Sequence, residues 1–142
     1  MKKSVFALFV LLCLLFSSCS ADQTTVSTDL LQLSAILEKN EYAVTSYSQD
    51  DSMLSALREE MASNLQGELS GSLEGYLYAQ NPETGNMDLE LFVFEKEQDA
   101  KLLLEYMNTR NVFVEGESEC RIDHRVVYMG YLSVLELVEE TA

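Results

Sequence analysis

The chain reads as one α+β domain built on a mostly antiparallel sheet with helices packed against it. Three observations carry that reading. Residues 68–80 alternate between a Leu/Gly face and a Ser/Glu/Tyr face, and the turn Asn81-Pro82-Glu83-Thr84-Gly85 sends the chain back through a second strand-like run, 86–95. Segments with apolar residues at helical spacing stand on either side of this hairpin, at 50–64 and 97–108. No internal repeat or low-complexity block interrupts the 142 residues.

Taken in order, residues 29–39 form the first predicted helix. Leu30, Leu33 and Leu37, with Ile36, share one side, Ser27 or Thr28 can cap the start, and Asn40 ends it. Residues 42–48 follow as a weak strand in which Tyr42, Val44 and Ser46 alternate with Ala43, Thr45 and Tyr47. A second helix spans 50–64: Ser48 or Asp50 can cap it, acids crowd its first turn, and Met53, Leu54, Leu57 and Met61 make one stripe. In the strand 68–80, Leu69, Gly71, Leu73, Gly75, Leu77 and Ala79 point one way, with Gly71 and Gly75 leaving room for a helix close to the sheet.

The returning strand, 86–95, is apolar on both sides, through Leu89, Leu91 and Val93 on one and Phe92 and Phe94 on the other. That pattern marks a central strand covered twice. Facing Gln80 with Asn86 sets Tyr78 opposite Asp88, Tyr76 opposite Glu90 and Glu74 opposite Phe92. A third helix, 97–108, turns Ala100, Leu103, Leu104 and Met107 inward. A short strand at 111–115, a turn at 116–118, a strand at 120–129 broken by Gly130, and a last helix at 131–140 with Leu132, Leu135 and Val138 on one side complete the chain. From residue 42 the order is strand, helix, strand, strand, helix, strand. This resembles the βαββαβ order of ferredoxin-like folds, extended by a C-terminal hairpin strand and by one helix at each end. The resemblance implies helices stacked on one face and a central place for the 42–48 strand.

The N-terminus carries a different signal. Met1-Lys2-Lys3 is a short basic start, and Val5 to Phe16 is an unbroken apolar run of 12 residues, short of the roughly 20 that a spanning helix needs. Ser17 and Ser18 then precede Cys19. Apolar, small, small, cysteine resembles the lipobox of bacterial lipoproteins, with Phe16 where that family usually has Leu. The resemblance covers residues 1–20. It implies removal of residues 1–18, diacylglycerol on the Cys19 thiol, and a domain held outside the cytoplasm on the cell membrane or the outer membrane. Ser20, uncharged, lacks the acidic inner-membrane retention signal of some lipoproteins. Residues 19–28 then read as a lipidated cysteine and a polar tether, and 29–142 as the globular domain.

Composition narrows the function. Processing would remove Lys2 and Lys3 and leave seven basic against 24 acidic residues, a balance of −17. Such a surface repels nucleic acid phosphates and anionic membranes and favours cationic partners. With Cys13 removed and Cys19 acylated, Cys120 stands alone, so no intrachain disulfide forms and packing must hold the fold. The chain has no C-x-x-C, H-E-x-x-H, glycine-rich phosphate loop or G-x-S-x-G. No catalytic residue, metal or cofactor is assigned.

Three groups of residues remain as candidates. Tyr76, Tyr78, Phe92 and Phe94 converge on the sheet face opposite Leu77 and Leu91; open, they would bind a peptide, glycan or envelope protein, whereas a terminal helix folded over them would make them core. Cys120 and His124 fall on one side of the 120–129 strand, the alternative being an envelope enzyme with a His-activated thiol, although alternate positions lie about 6–7 Å apart, too far for a direct hydrogen bond. Glu115, Glu117 and Glu119, close to Asp123, suggest a weak divalent-cation sensor but lack the glycine and terminal bidentate Glu of a calcium loop. The reading favoured is a lipid-anchored, non-catalytic binding or scaffolding module of the cell envelope.

Overall fold

A computed structural model describes residues 26–140. The signal segment, Cys19 and most of the tether lie outside the described residues. The elements run α1 (Leu30–Lys39), β1 (Ala43–Ser48), α2 (Ser52–Asn64), β2 (Leu73–Gln80), β3 (Met87–Phe94), α3 (Glu97–Thr109), β4 (Ser118–Asp123), β5 (Val126–Tyr131) and α4 (Leu132–Glu139). The five strands form one antiparallel sheet in the order β1-β2-β3-β5-β4. The fold is α+β, as its alternating strands and periodic helices predict.

β3 is the middle strand and is covered twice, as its two apolar sides require. Leu89, Leu91 and Val93 face a layer made by α1 and α4, while Phe92 and Phe94 face α2 and α3. Helices therefore pack on both faces of the sheet rather than one. β1 exists but takes an edge, pairing only with β2, where a ferredoxin-like order would set it centrally. Its polar composition, Thr45, Ser46 and Ser48 with a single aliphatic Val44, suits an edge and not a doubly covered centre.

Side-chain caps fix the helix starts one residue from the expected places. Asp29 accepts from the amides of Leu31 and Gln32 at the start of α1, and Asp51 from that of Met53 at the start of α2. The strand expected from residue 68 begins only at Leu73. Residues 69–71 instead form a loop gripped by two charged side chains. Asp99, fully buried in the first turn of α3, accepts from the amides of Ser70 (2.9 Å) and Gly71 (2.8 Å) and from the Ser70 hydroxyl. Arg58 of α2 donates to the carbonyls of Gly71 (2.7 Å) and Leu69 (3.0 Å). The loop's polar backbone finds side-chain partners where a ladder would have supplied backbone ones.

A bulge at Glu74 turns Leu73 onto the Phe94 side of the sheet, and a second at Asp88 shifts the hairpin. The register moves by two residues from the one expected: Tyr76 faces Phe92 and Tyr78 faces Glu90. Gly75 does let a helix approach, since a Cβ there would stand 3.0 Å from Leu30 Cδ1 of α1, whereas Gly71 lies in the loop beside Glu95 and Lys96.

No strand forms at 111–115. That segment is a loop with Val112 and Val114 exposed and only Phe113 tucked inward. The 120–129 segment is not one strand but a hairpin, β4 to β5, turning at His124 and Arg125, with His124 at φ 53°. Gly130 continues β5 instead of breaking it. Its φ of 154° and its approach to Asp88, whose carbonyl oxygen would lie 2.0 Å from an added Cβ, admit only glycine. The packed domain also begins earlier than residue 29: Val26, read as tether, is 2 % exposed in the α1/α4 core, and its amide donates to Asp123 Oδ2.

Candidate functional site

One row of side chains crosses the sheet on the α2/α3 face: Tyr47, Tyr76, Phe92, Val127 and Ile122 on β1, β2, β3, β5 and β4 in turn. Tyr76 is its centre. Its ring stacks parallel to Tyr47 at 6.2 Å, leans on Phe92 at 4.8 Å and touches Tyr78 at 5.7 Å. Its hydroxyl donates to Glu90 Oε1 at 2.7 Å. Burial, and then the Glu90 carboxylate, hold the Tyr76 phenol well above its ordinary range, so it remains a neutral donor.

The structure brings the four aromatic candidates onto one face but does not leave them open. Tyr76, Phe92 and Phe94 are buried and Tyr78 is half-buried. The cover comes from α2 and α3, not from the terminal helices, which both pack on the opposite face. The bulge at Glu74 and the long strand-like reading of 68–72 concealed this, because they hid the loop that leads α2 back to the sheet.

The cover is incomplete. α2 packs on β1 and β2, and α3 on β3, β4 and β5. Between them runs a groove of about 210 Å³. Leu57, Met61 and Leu65 form the α2 wall, Leu103 and Tyr106 the α3 wall, and Phe92 and Glu90 the floor, with Glu60 and Asn64 at the rim. Leu57, Met61, Leu65 and Tyr106 are all half-buried. The loop at 69–71, bonded to Arg58 on one helix and Asp99 on the other, fixes the separation of the two walls. The alternation of β3 places Glu90 on this face, opposite Tyr76; the register shift sets it opposite Tyr78 instead, and what sequence reasoning missed is that it lies beneath the gap between α2 and α3.

A larger cleft of about 440 Å³ lies at the start of α1, lined by Asp29, Leu30, Ser46, Ser48, Glu74 and Arg125 among others. Its charges are already answered. Arg125 Nη1 donates to Glu74 Oε2 at 2.5 Å and to the Phe94 carbonyl at 3.1 Å, and Asp29 caps α1.

The remaining candidates are not assembled. Cys120 is half-buried on β4, and burial pushes its thiol up to about 12. His124 sits beyond the strand end in the exposed turn, 3.9 Å from Glu97 and 3.7 Å from Asp123. The acidic residues are likewise dispersed: Glu119 pairs with Arg121, which also holds Glu139 of α4 at 2.6 Å, and Asp123 accepts from Val26. Among the described residues no group of three or more His, Cys, Asp or Glu is placed to hold a metal ion, and no helix is long and apolar enough to cross a membrane. Comparison of the chain with protein-family models, with curated proteins and with solved structures finds no match.

Proposed function

We propose that this chain is a lipid-anchored protein of the cell envelope, held by acyl chains on Cys19, whose domain acts as a non-catalytic binding module through the groove between α2 and α3. The groove carries the binding half of the reading. It is apolar, it has a fixed width, and it is the part of the aromatic face that the helices leave open. Exposed apolar surface of that kind on a small acidic domain is expected to be covered by a partner. The basic start, the 12-residue apolar run and Ser17-Ser18-Cys19 support the anchor. Two acyl chains, at about 0.8 kcal/mol per buried methylene, suffice for stable attachment. Val26 enters the α1/α4 layer, so a tether from Cys19 joins the domain on the face away from the groove. A half-buried thiol held up to about 12 and a histidine outside its strand favour binding over thiol catalysis.

Cell fractionation tests the anchor. The wild-type protein is expected in the membrane fraction, labelled by a fatty-acid probe, and Cys19→Ser in the soluble fraction without label. A Cys19→Ser protein that stays membrane-bound contradicts the lipid anchor.

A further inference from the structure

The groove has a chemical asymmetry that points to its occupant. Its walls and floor are apolar, and the two ionisable carboxylates lining it, Glu60 and Glu90, are unaccompanied there by any lysine or arginine. Glu90 lies half-buried in the floor, and Tyr76, a neutral donor, binds one of its oxygens. The basic side chains on the neighbouring elements are engaged elsewhere. Arg58 is spent on the 69–71 loop, and Lys101 pairs with Glu97 at 2.8 Å. Arg110 lies 5.4 Å over the Tyr106 ring and donates to its hydroxyl at 2.9 Å, outside the groove lining. A half-buried carboxylate among apolar side chains without a cation is an incomplete arrangement.

We infer that the groove receives an arginine side chain from an apolar, cationic segment of a partner protein. This rests on the binding reading above and names the partner's chemistry. A volume of about 210 Å³ is below the roughly 300–1,000 Å³ typical of small-molecule sites and fits an anchor side chain. Arginine meets each part of the lining. Its methylene stem packs against Leu57, Met61 and Leu103, and its planar guanidinium binds the Glu90 carboxylate. Arginine is also the charged residue most often found as an interface anchor. Seven basic against 24 acidic residues after processing add long-range attraction for such a segment.

The chain contains no tryptophan, so a peptide of leucine and arginine with one tryptophan can be followed by its own fluorescence. The full-length protein in non-ionic detergent is titrated with this peptide, with a version carrying glutamine for arginine, and separately with Nile red, a neutral apolar dye. The arginine peptide is expected to bind, the glutamine version to lose binding, and Glu90→Gln to weaken the arginine peptide by about tenfold or more. Glu60→Gln, at the exposed rim, should weaken it less. Glu83→Gln, an exposed acid in the β2–β3 turn, should leave it unchanged; equal weakening by Glu83→Gln and Glu90→Gln would reduce the effect to net charge and overturn the inference. So would equal binding of the two peptides. Met61→Arg, which fills the groove with a tethered cation, separates the two levels. Nile red displaced by Met61→Arg while the arginine peptide ignores Glu90→Gln leaves the binding groove standing without its arginine ligand. Neither probe responding to Met61→Arg, in a variant whose circular dichroism matches the wild type, overturns both.

Discussion

On one side of the sheet, α1 and α4 touch each other and press Leu33, Leu37, Val134, Leu135 and Val138 onto Leu77, Leu89, Leu91 and Val126, with Val26 sealing the layer. On the other side, α2 and α3 each hold their own strands and part over Phe92, so Leu57, Met61, Leu65 and Tyr106 stay half-buried. The same five strands serve both layers. The difference lies in what ties each helix pair. The first pair meets through aliphatic side chains, which close on contact. The second is linked through a polar loop held by Arg58 and Asp99, which sets a distance and keeps it. Packing closes a layer, whereas a hydrogen-bonded spacer can hold one open.

If the closed layer is as tight as its burial indicates, Leu77→Ala, at a fully buried site, should cost about 3–4 kcal/mol in denaturant unfolding, within the range of large-to-small core substitutions. A cost under 1 kcal/mol would erase the contrast between the faces. Gly130→Ala should cost about 3 kcal/mol, because its Cβ must displace the Asp88 backbone. Asp99→Ala should follow at about 2–3 kcal/mol, leaving the Ser70 and Gly71 amides without their partner. It should also let the groove change width, which Nile red binding would register. By contrast, Met61→Ala on the open layer should cost only about 1 kcal/mol, as a half-exposed side chain loses less on truncation. Lys101→Ala, which removes an exposed i,i+4 pair with Glu97, should fall below about 0.5 kcal/mol.

Cys120 offers a pH test of the layer it joins. Its folded thiol, pushed up to about 12, lies above the ordinary thiol value of the unfolded chain. The proton is therefore held more tightly in the folded state. The stability this represents is complete below the unfolded value and is lost as pH rises from there towards 12. At pH 8 the native protein should react slowly with iodoacetamide and the urea-unfolded protein quickly. Equal rates would mean that α3 does not cover β4.

Much of this arrangement was legible in the residues. The twofold apolar character of β3 marked the central strand, and the turn at 81–85 marked the hairpin. What escaped has specific causes. The β4–β5 turn carries His124 in a left-handed conformation where glycine or asparagine would have announced it. The alternation of 68–72 belongs to a loop because Asp99 and Arg58, 28 and 13 residues from Gly71, supply bonds that a local pattern does not reveal. The hairpin closes with Gln80 opposite Met87 rather than Asn86, and the bulge at Asp88 adds a second step, so Tyr76 faces Phe92 and Tyr78 faces Glu90. The face that carries Phe92 and Glu90 was therefore foreseeable, and the gap that α2 and α3 leave over it was not.

Val26 has a mechanical consequence. A lipid on Cys19 would leave seven residue steps before the chain enters the core, a reach of at most about 25 Å. Such an anchor would confine the domain within that radius, and any drag on it would be delivered first to Val26 and its bond to Asp123. Asp123 ends β4, at the sheet edge farthest from β1. Load from the membrane would thus enter at one corner of the closed layer. The groove, across the sheet, would stay out of that line of force.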